Sequence, residues 1–196
     1  FETEVNGGHN SNLMWAFDVT LKHNNYTFVG EILVDDYSLD GKSPHKIGYK
    51  IGAGINSKIL KYFIEYNHIK RWVGNYLDPE LRYINDEVLM GHPMGPDAHA
   101  LVLKIFNNLG EIIFTRLSLS VIDSGNSSIN DWPEGIGNSS NFGYNSEQFP
   151  TPPVSREYVF ELFSEYFISS RLSAKLTTTI GSLITSNIEF NIRYAF

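Results

Sequence analysis

Cysteine is missing altogether from the 196 residues, which rules out disulfides and thiolate metal sites. Basic residues are outnumbered: 15 Lys and Arg stand against 22 Asp and Glu, for a net charge of −7. A nucleic-acid-binding face needs a basic stripe. Here the cations are scattered singly, so neither nucleic acid nor a polybasic membrane contact is expected. No run of about 18 apolar residues occurs, so no membrane-spanning helix is expected. The opening FETEVNGG lacks an initiating Met and a signal-peptide pattern, as in a mature form or an internal fragment. Charge of either sign is thin at 19%, below the ~25% of an ordinary soluble domain. What is plentiful is aromatic: 14% of the chain, mostly Phe and Tyr. The length points to one domain or part of a larger one.

Apolar residues recur at every second position through most of the chain, the signature of strands. In LMWAFDVTL (13–21) one face is Leu13, Trp15, Phe17, Val19 and Leu21. YTFVGEILVDD (26–36) and HKIGYKIGAGI (45–55) follow the same rule, the latter opposing Ile and Tyr to Lys46, Gly48, Lys50, Gly52 and Gly54. KILKYFIEYN (58–67) is a further strand, and AHALVLKIF (98–106) with EIIFTRLSLSVI (111–122) reads as a hairpin around NNLG. REYVFELFSEYFIS (156–169), RLSAKLTTTIG (171–181) and the terminal NIEFNIRYAF complete the set. The segments 57–72 and 156–170 also have a passable helical period, but β-branched and aromatic residues favour strands there. Residues 123–154 are rich in Ser, Asn, Gly and Pro and have no period, so they are expected to form one long loop.

The clear strands run to about 9–11 residues, longer than the common 5–6 and matched to a tilted bilayer crossing. A soluble β-sandwich also alternates apolar and polar faces. The alternative is a transmembrane β-barrel with its apolar face toward lipid and its polar face toward a wet interior. Lipid leaves backbone groups no water, so such strands must close into a barrel. On that reading Trp15, Tyr26, Tyr158 and Tyr194 are interfacial girdle residues. The fold expected is therefore an all-β, antiparallel outer-membrane β-barrel, with roughly 8–10 strands in this chain.

Four stretches in order, NSNLMWAFDVTL, FVGEILVDDYSLDGKSPHKIGYKIGAGI, YFIEYNHIKRWVGNY and MGHPMGPDAHALVLKI, resemble the capsule assembly protein Wzi family. The residues that carry the resemblance are Asp35 and Asp36, the Pro44–Gly48 stretch, Glu65 and Tyr66, and Gly91, His92, Gly95, Pro96 and Asp97 with Ala98. Family members are about twice this length, so the resemblance implies the C-terminal part of a larger barrel, residues 1–196 being that barrel domain or its C-terminal portion. It also implies the outer membrane of a Gram-negative cell and a lectin-like, non-catalytic hold on capsular or other extracellular polysaccharide, with no cofactor. Partners implied are that polysaccharide, outer-membrane lipid, other envelope proteins, and the barrel assembly machinery, met through a last strand ending at Phe196. A porin or transport barrel and a structural subunit of a larger envelope assembly are the alternatives.

Individual residues admit more than one role. His92, Asp97 and His99 are imidazole and carboxylate donors within one short segment, but the Gly and Pro around them are turn chemistry. Asp18, Asp35, Asp36 and Glu65 could supply a glycosidase-like carboxylate pair, yet Lys46, Lys50, Lys61 or Arg116 opposite them would make ordinary cross-strand ion pairs. In the long loop Asp131, Trp132, Phe142 and Tyr144 are the candidate polysaccharide contacts: aromatic faces suit sugar C–H surfaces and carboxylates accept hydroxyl hydrogen bonds.

Overall fold

Residues 14–36, 44–75, 84–85, 88–89, 94–110, 112–127, 148–169, 172–182 and 187–194 are described by a computed structural model. Eleven strands follow in order: β1 (Trp15–His23), β2 (Tyr26–Asp36), β3 (Lys46–Asn56), β4 (Leu60–Ile69), β5 (Ile84–Asn85), β6 (Val88–Leu89), β7 (Ala98–Leu109), β8 (Ile113–Ser124), β9 (Ser155–Ser169), β10 (Leu172–Gly181) and β11 (Asn187–Tyr194). Nine of them form one antiparallel sheet in the order β1-β2-β3-β4-β7-β8-β9-β10-β11, and β5 pairs only with β6. No helix occurs among the described residues. Both segments with a competing helical period are strands, β4 and β9. Each has a hydrogen-bonded neighbour on either side, which satisfies every backbone group that a helix would have satisfied internally.

The connections separate by length. At one end of the sheet the turns are short: 24–25, 57–59, 110–112 and 170–171. Asn24 and Gly110 take positive φ there, 51° and 64°, as tight hairpin turns require. Ser57 closes the β3–β4 turn, its Oγ accepting from Leu60 N–H at 3.0 Å. At the other end the chain makes its long excursions, 37–45, 70–97 and 125–154, together with 182–186. The edges of the sheet are β1 and β11. Among the described residues neither has a second partner, so the sheet does not close on itself.

Registration of the strands puts like with like across the sheet. One transverse row on the apolar face reads Leu21, Phe28, Ala53, Ile64, Leu103, Leu119, Phe160, Ile180. The aromatic residues gather toward the two ends of this face: Trp15, Tyr49 and Tyr158 near the long connections, Tyr26, Tyr62 and Tyr166 near the short turns. The opposite face carries Glu31, Lys50, Glu65, Lys104, Ser118, Glu161, Glu165 and Lys175.

Burial is inverted relative to a soluble fold. Phe17 is 61% and Phe190 66% exposed, whereas the side chains of Glu65 and Glu165 are only 11% and 15% exposed. The most deeply buried apolar residues are Trp72, Val73, Ala98, Ala100 and Val102. They cluster at the polar face and its long-connection end, and among the described residues the broad apolar face is covered only where Phe149 meets His68 and His99.

Candidate functional site

Two constructions mark the long-connection end, one on each face. The first is built on Asp97. Its φ of +58° lies in the left-handed region, which Asp tolerates better than most residues. That bend turns its fully buried carboxylate back toward the loop that follows β8. Oδ1 accepts from Thr151 N–H at 3.0 Å, and the Asp97 carbonyl accepts from Gly125 N–H at 2.8 Å. The Thr151 carbonyl in turn accepts from Asn126 N–H at 3.0 Å. Both ends of the 125–151 excursion are thus clamped at one residue, Thr151 by the Asp97 carboxylate and Gly125 by its backbone carbonyl. Gly125 is required for the fit: a Cβ there would collide with the Asp97 carboxylate and sit 2.6 Å from Thr151 N.

Asp35 does the same work two hairpins away. It is buried, and its Oδ2 accepts from Gly74 N–H at 2.7 Å. The turn 71–74 that this bond holds buries Trp72 and Val73, with Asn75 beyond it. Asp36 pairs with Lys46 across a register shift that frees Asp35 from the ladder.

The second construction lies on the apolar face. Tyr49, His68, His99, Asp123 and Arg156 stand in one transverse row on β3, β4, β7, β8 and β9. Tyr49 stacks on His68 with centroids 4.7 Å apart. His99 Nε2 is 3.1 Å from Asp123 Oδ2. Arg156 donates to both oxygens of Asp123, through Nε at 2.6 Å and Nη2 at 2.7 Å, the planar fork matched to the carboxylate. Phe149, on the returning limb of the long loop, lies 4.1 Å from His68 and 5.8 Å from His99. Its ring pins that limb to the apolar face of the sheet. Among the described residues no Ser or Thr hydroxyl bonds either His.

The polar face holds a cavity of about 490 Å³ lined by Asp18, Thr20, Glu31, Lys50, Phe63 and Glu65. Directly opposed Asp18 and Glu31 would repel, and Lys50, next in the same row, binds Glu31. Glu65 accepts from Lys104 Nζ at 2.9 Å and from Asn67 at 3.4 Å. The carboxylates are thus engaged separately: Glu65 by Lys104, Asp35 by Gly74, Asp97 by Thr151. Of the four candidate carboxylates, Asp18 and Glu65 line this one cavity, while Asp35 is turned away to the 71–74 turn. Asp97 and His99 likewise go to different partners, and no group of three metal-ligating side chains occurs among the described residues.

Gly52 and Gly54 serve a neighbour on β4. Their missing side chains admit the Phe63 ring: a Cβ at Gly52 would lie 2.8 Å from Phe63 Cζ, and at Gly54 2.6 Å from Cδ2. Tyr66 sits on the apolar face, its ring 5.8 Å from His99. Gly95 takes φ 72° in the turn before Asp97, with Pro96 between them. Gly91, His92, Asp131, Trp132, Phe142 and Tyr144 lie outside the described residues, as do Phe196 and the side chains of Asp36 and Tyr194. Sequence reasoning missed the row from Tyr49 to Arg156. The β7–β8 hairpin held the signal: once its turn is placed, His99 must face Asp123. Comparison with family models, with curated proteins and with solved structures finds no match for this chain.

Proposed function

We propose that this chain forms the wall of an outer-membrane β-barrel that anchors extracellular polysaccharide by non-catalytic contacts. The observation behind the membrane reading is the inverted burial: large apolar side chains 36–70% exposed on one face, Glu65 and Glu165 sheltered at 11% and 15% on the other. Lipid is the solvent that makes such an arrangement stable, because the exposed face then costs nothing and the polar face keeps its water. The apolar band has the right size. From His99 to Asn107, the polar ends of the outward face of β7, the strand runs about 27 Å at ~3.4 Å per residue. Tilted by ~40°, that becomes about 20 Å of height, against ~25 Å for known barrels. Tyr and Trp at both margins suit the two interfaces. Short turns at one end and long connections at the other suit a periplasmic and an extracellular rim.

The polysaccharide part rests on the resemblance to the Wzi family. Its motif residues Asp35 and Asp97 secure the bases of the long excursions, the 125–151 loop among them, where Asp131, Trp132, Phe142 and Tyr144 would meet sugar.

A semi-native gel of detergent-extracted outer membrane is the test of the barrel. An unboiled sample that migrates differently from a boiled one supports a closed barrel. Recovery in the soluble fraction with no shift defeats it. Cells carrying the protein should then retain capsular polysaccharide after washing, and Trp132→Ala should release it. Equal retention by cells lacking the protein would defeat the anchoring role.

A further inference from the structure

The polar face carries a second feature that the ion-pair network leaves unused. Lys61, Phe106, Arg116 and Phe163 stand in one transverse row on β4, β7, β8 and β9. Phe114, next along β8, lies 6.4 Å from Phe106 and 5.9 Å from Phe163, so the rings make a continuous platform. The Arg116 guanidinium sits 5.4 Å over the Phe163 ring, and Lys175 Nζ lies 5.6 Å from the same ring. Lys175 is already 3.6 Å from Glu165, and Lys104 is bound to Glu65. Arg116 differs. Among the described residues no carboxylate lies within ion-pair distance of it, and its one charged-group contact is the aromatic face.

An arginine stacked on a ring keeps its N–H edge free and pre-oriented for a planar anion. Glu161, diagonal to Arg116 across β8 and β9, is about 7–8 Å away by strand geometry. Lys61 is two strands from Arg116, about 10 Å at ~4.8 Å per strand, with the Phe106 ring between them. A ligand that fits this row has flat apolar C–H faces for the rings and carboxylates for the two cations.

We propose that this row is a binding site for an acidic glycan, a chain of carboxylate-bearing pyranoses, with the carboxylate bidentate on Arg116 and the sugar face on Phe106 and Phe163. The inference rests on the polysaccharide-anchoring reading and deepens it: it names the charge class of the sugar and places a site on the inner wall.

Titration calorimetry of the detergent-extracted protein with a short oligogalacturonate, and with a dextran oligomer of equal length, tests it. The acidic oligomer should bind and the neutral one should not. Arg116→Gln should weaken binding by about tenfold or more, as loss of a charge-assisted bidentate contact does. Arg116→Lys should recover part of that loss, and Lys22→Gln on β1, five strands from Arg116, should change nothing. Each variant must first show the heat-dependent gel shift of the parent, so that a folding failure is not read as lost binding. Equal affinity for dextran, or an Arg116→Gln variant that binds like the parent, overturns the site while leaving polysaccharide anchoring in place. A folded barrel that binds neither oligomer overturns both.

Discussion

Leu103→Arg separates a lipid-facing sheet from a water-facing one by the size of a single free energy. Leu103 lies on the apolar face of β7, between Ile64 and Leu119 in a row that is apolar across eight strands. It is 36% exposed. The nearest polar side chains on its own strand face, His99 and Asn107, are each about 14 Å away along the chain at ~3.4 Å per residue. Tilt reduces this to about 10 Å of depth from either polar margin. A guanidinium there cannot reach either interface fully extended, and in lipid it costs about 2–4 kcal/mol, the midplane value for barrel walls. That is roughly a hundredfold in the folding equilibrium. In water the same substitution removes part of a half-exposed leucine and leaves a long stem to cover its neighbours, for less than about 1 kcal/mol. The control is Thr179→Arg on the polar face of β10, opposite Glu161, where an arginine gains a partner. Reversible guanidinium unfolding in phospholipid vesicles reads both. A loss of about 2 kcal/mol or more at Leu103 with almost none at Thr179 supports the lipid reading. A Leu103→Arg variant within about 0.5 kcal/mol of the parent would refute it.

Two further predictions concern how the polar face is assembled. Asp97→Ala should destabilise the fold by about 2–4 kcal/mol, since it strands the buried Thr151 N–H and puts a β-carbon residue without side-chain compensation at φ +58°. Asp97→Asn, which keeps an acceptor and tolerates that φ, should cost less than half as much, both read as shifts of the unfolding midpoint. Gly52→Ala and Gly54→Ala should each cost about 1–3 kcal/mol by overpacking. Phe63→Leu should rescue only the first. At Gly52 the new Cβ meets side chains alone, Phe63 and Val29, whereas at Gly54 it also lies 2.9 Å from the Tyr62 carbonyl oxygen, which cannot turn away. Equal rescue of both would mean that the backbone contact is unimportant.

The strand content was legible because alternation is a local property. From Trp15 to Tyr194 each apolar run displays its own two faces without reference to any other, and β1 to β4 and β7 to β11 lie where the period places them. Even the segments with a helical alternative, 57–72 and 156–170, resolved as strands on residue type.

The contacts between distant segments were not legible. Nothing local to Gly52 says that Phe63 will lie across it, nothing local to Asp97 says that its partner is Thr151, and Arg156 carries no mark of Asp123 and His99. Each depends on how many residues a turn or bulge consumes, and one residue of slip moves a side chain to the other face. The sequence by itself determined which residues form strands and which face of each is apolar. Only the tertiary structure decided which strands are neighbours and in what register. The physical reason is that a strand's alternation is written within the strand, while its pairing is settled by backbone hydrogen bonds to chain far away in sequence.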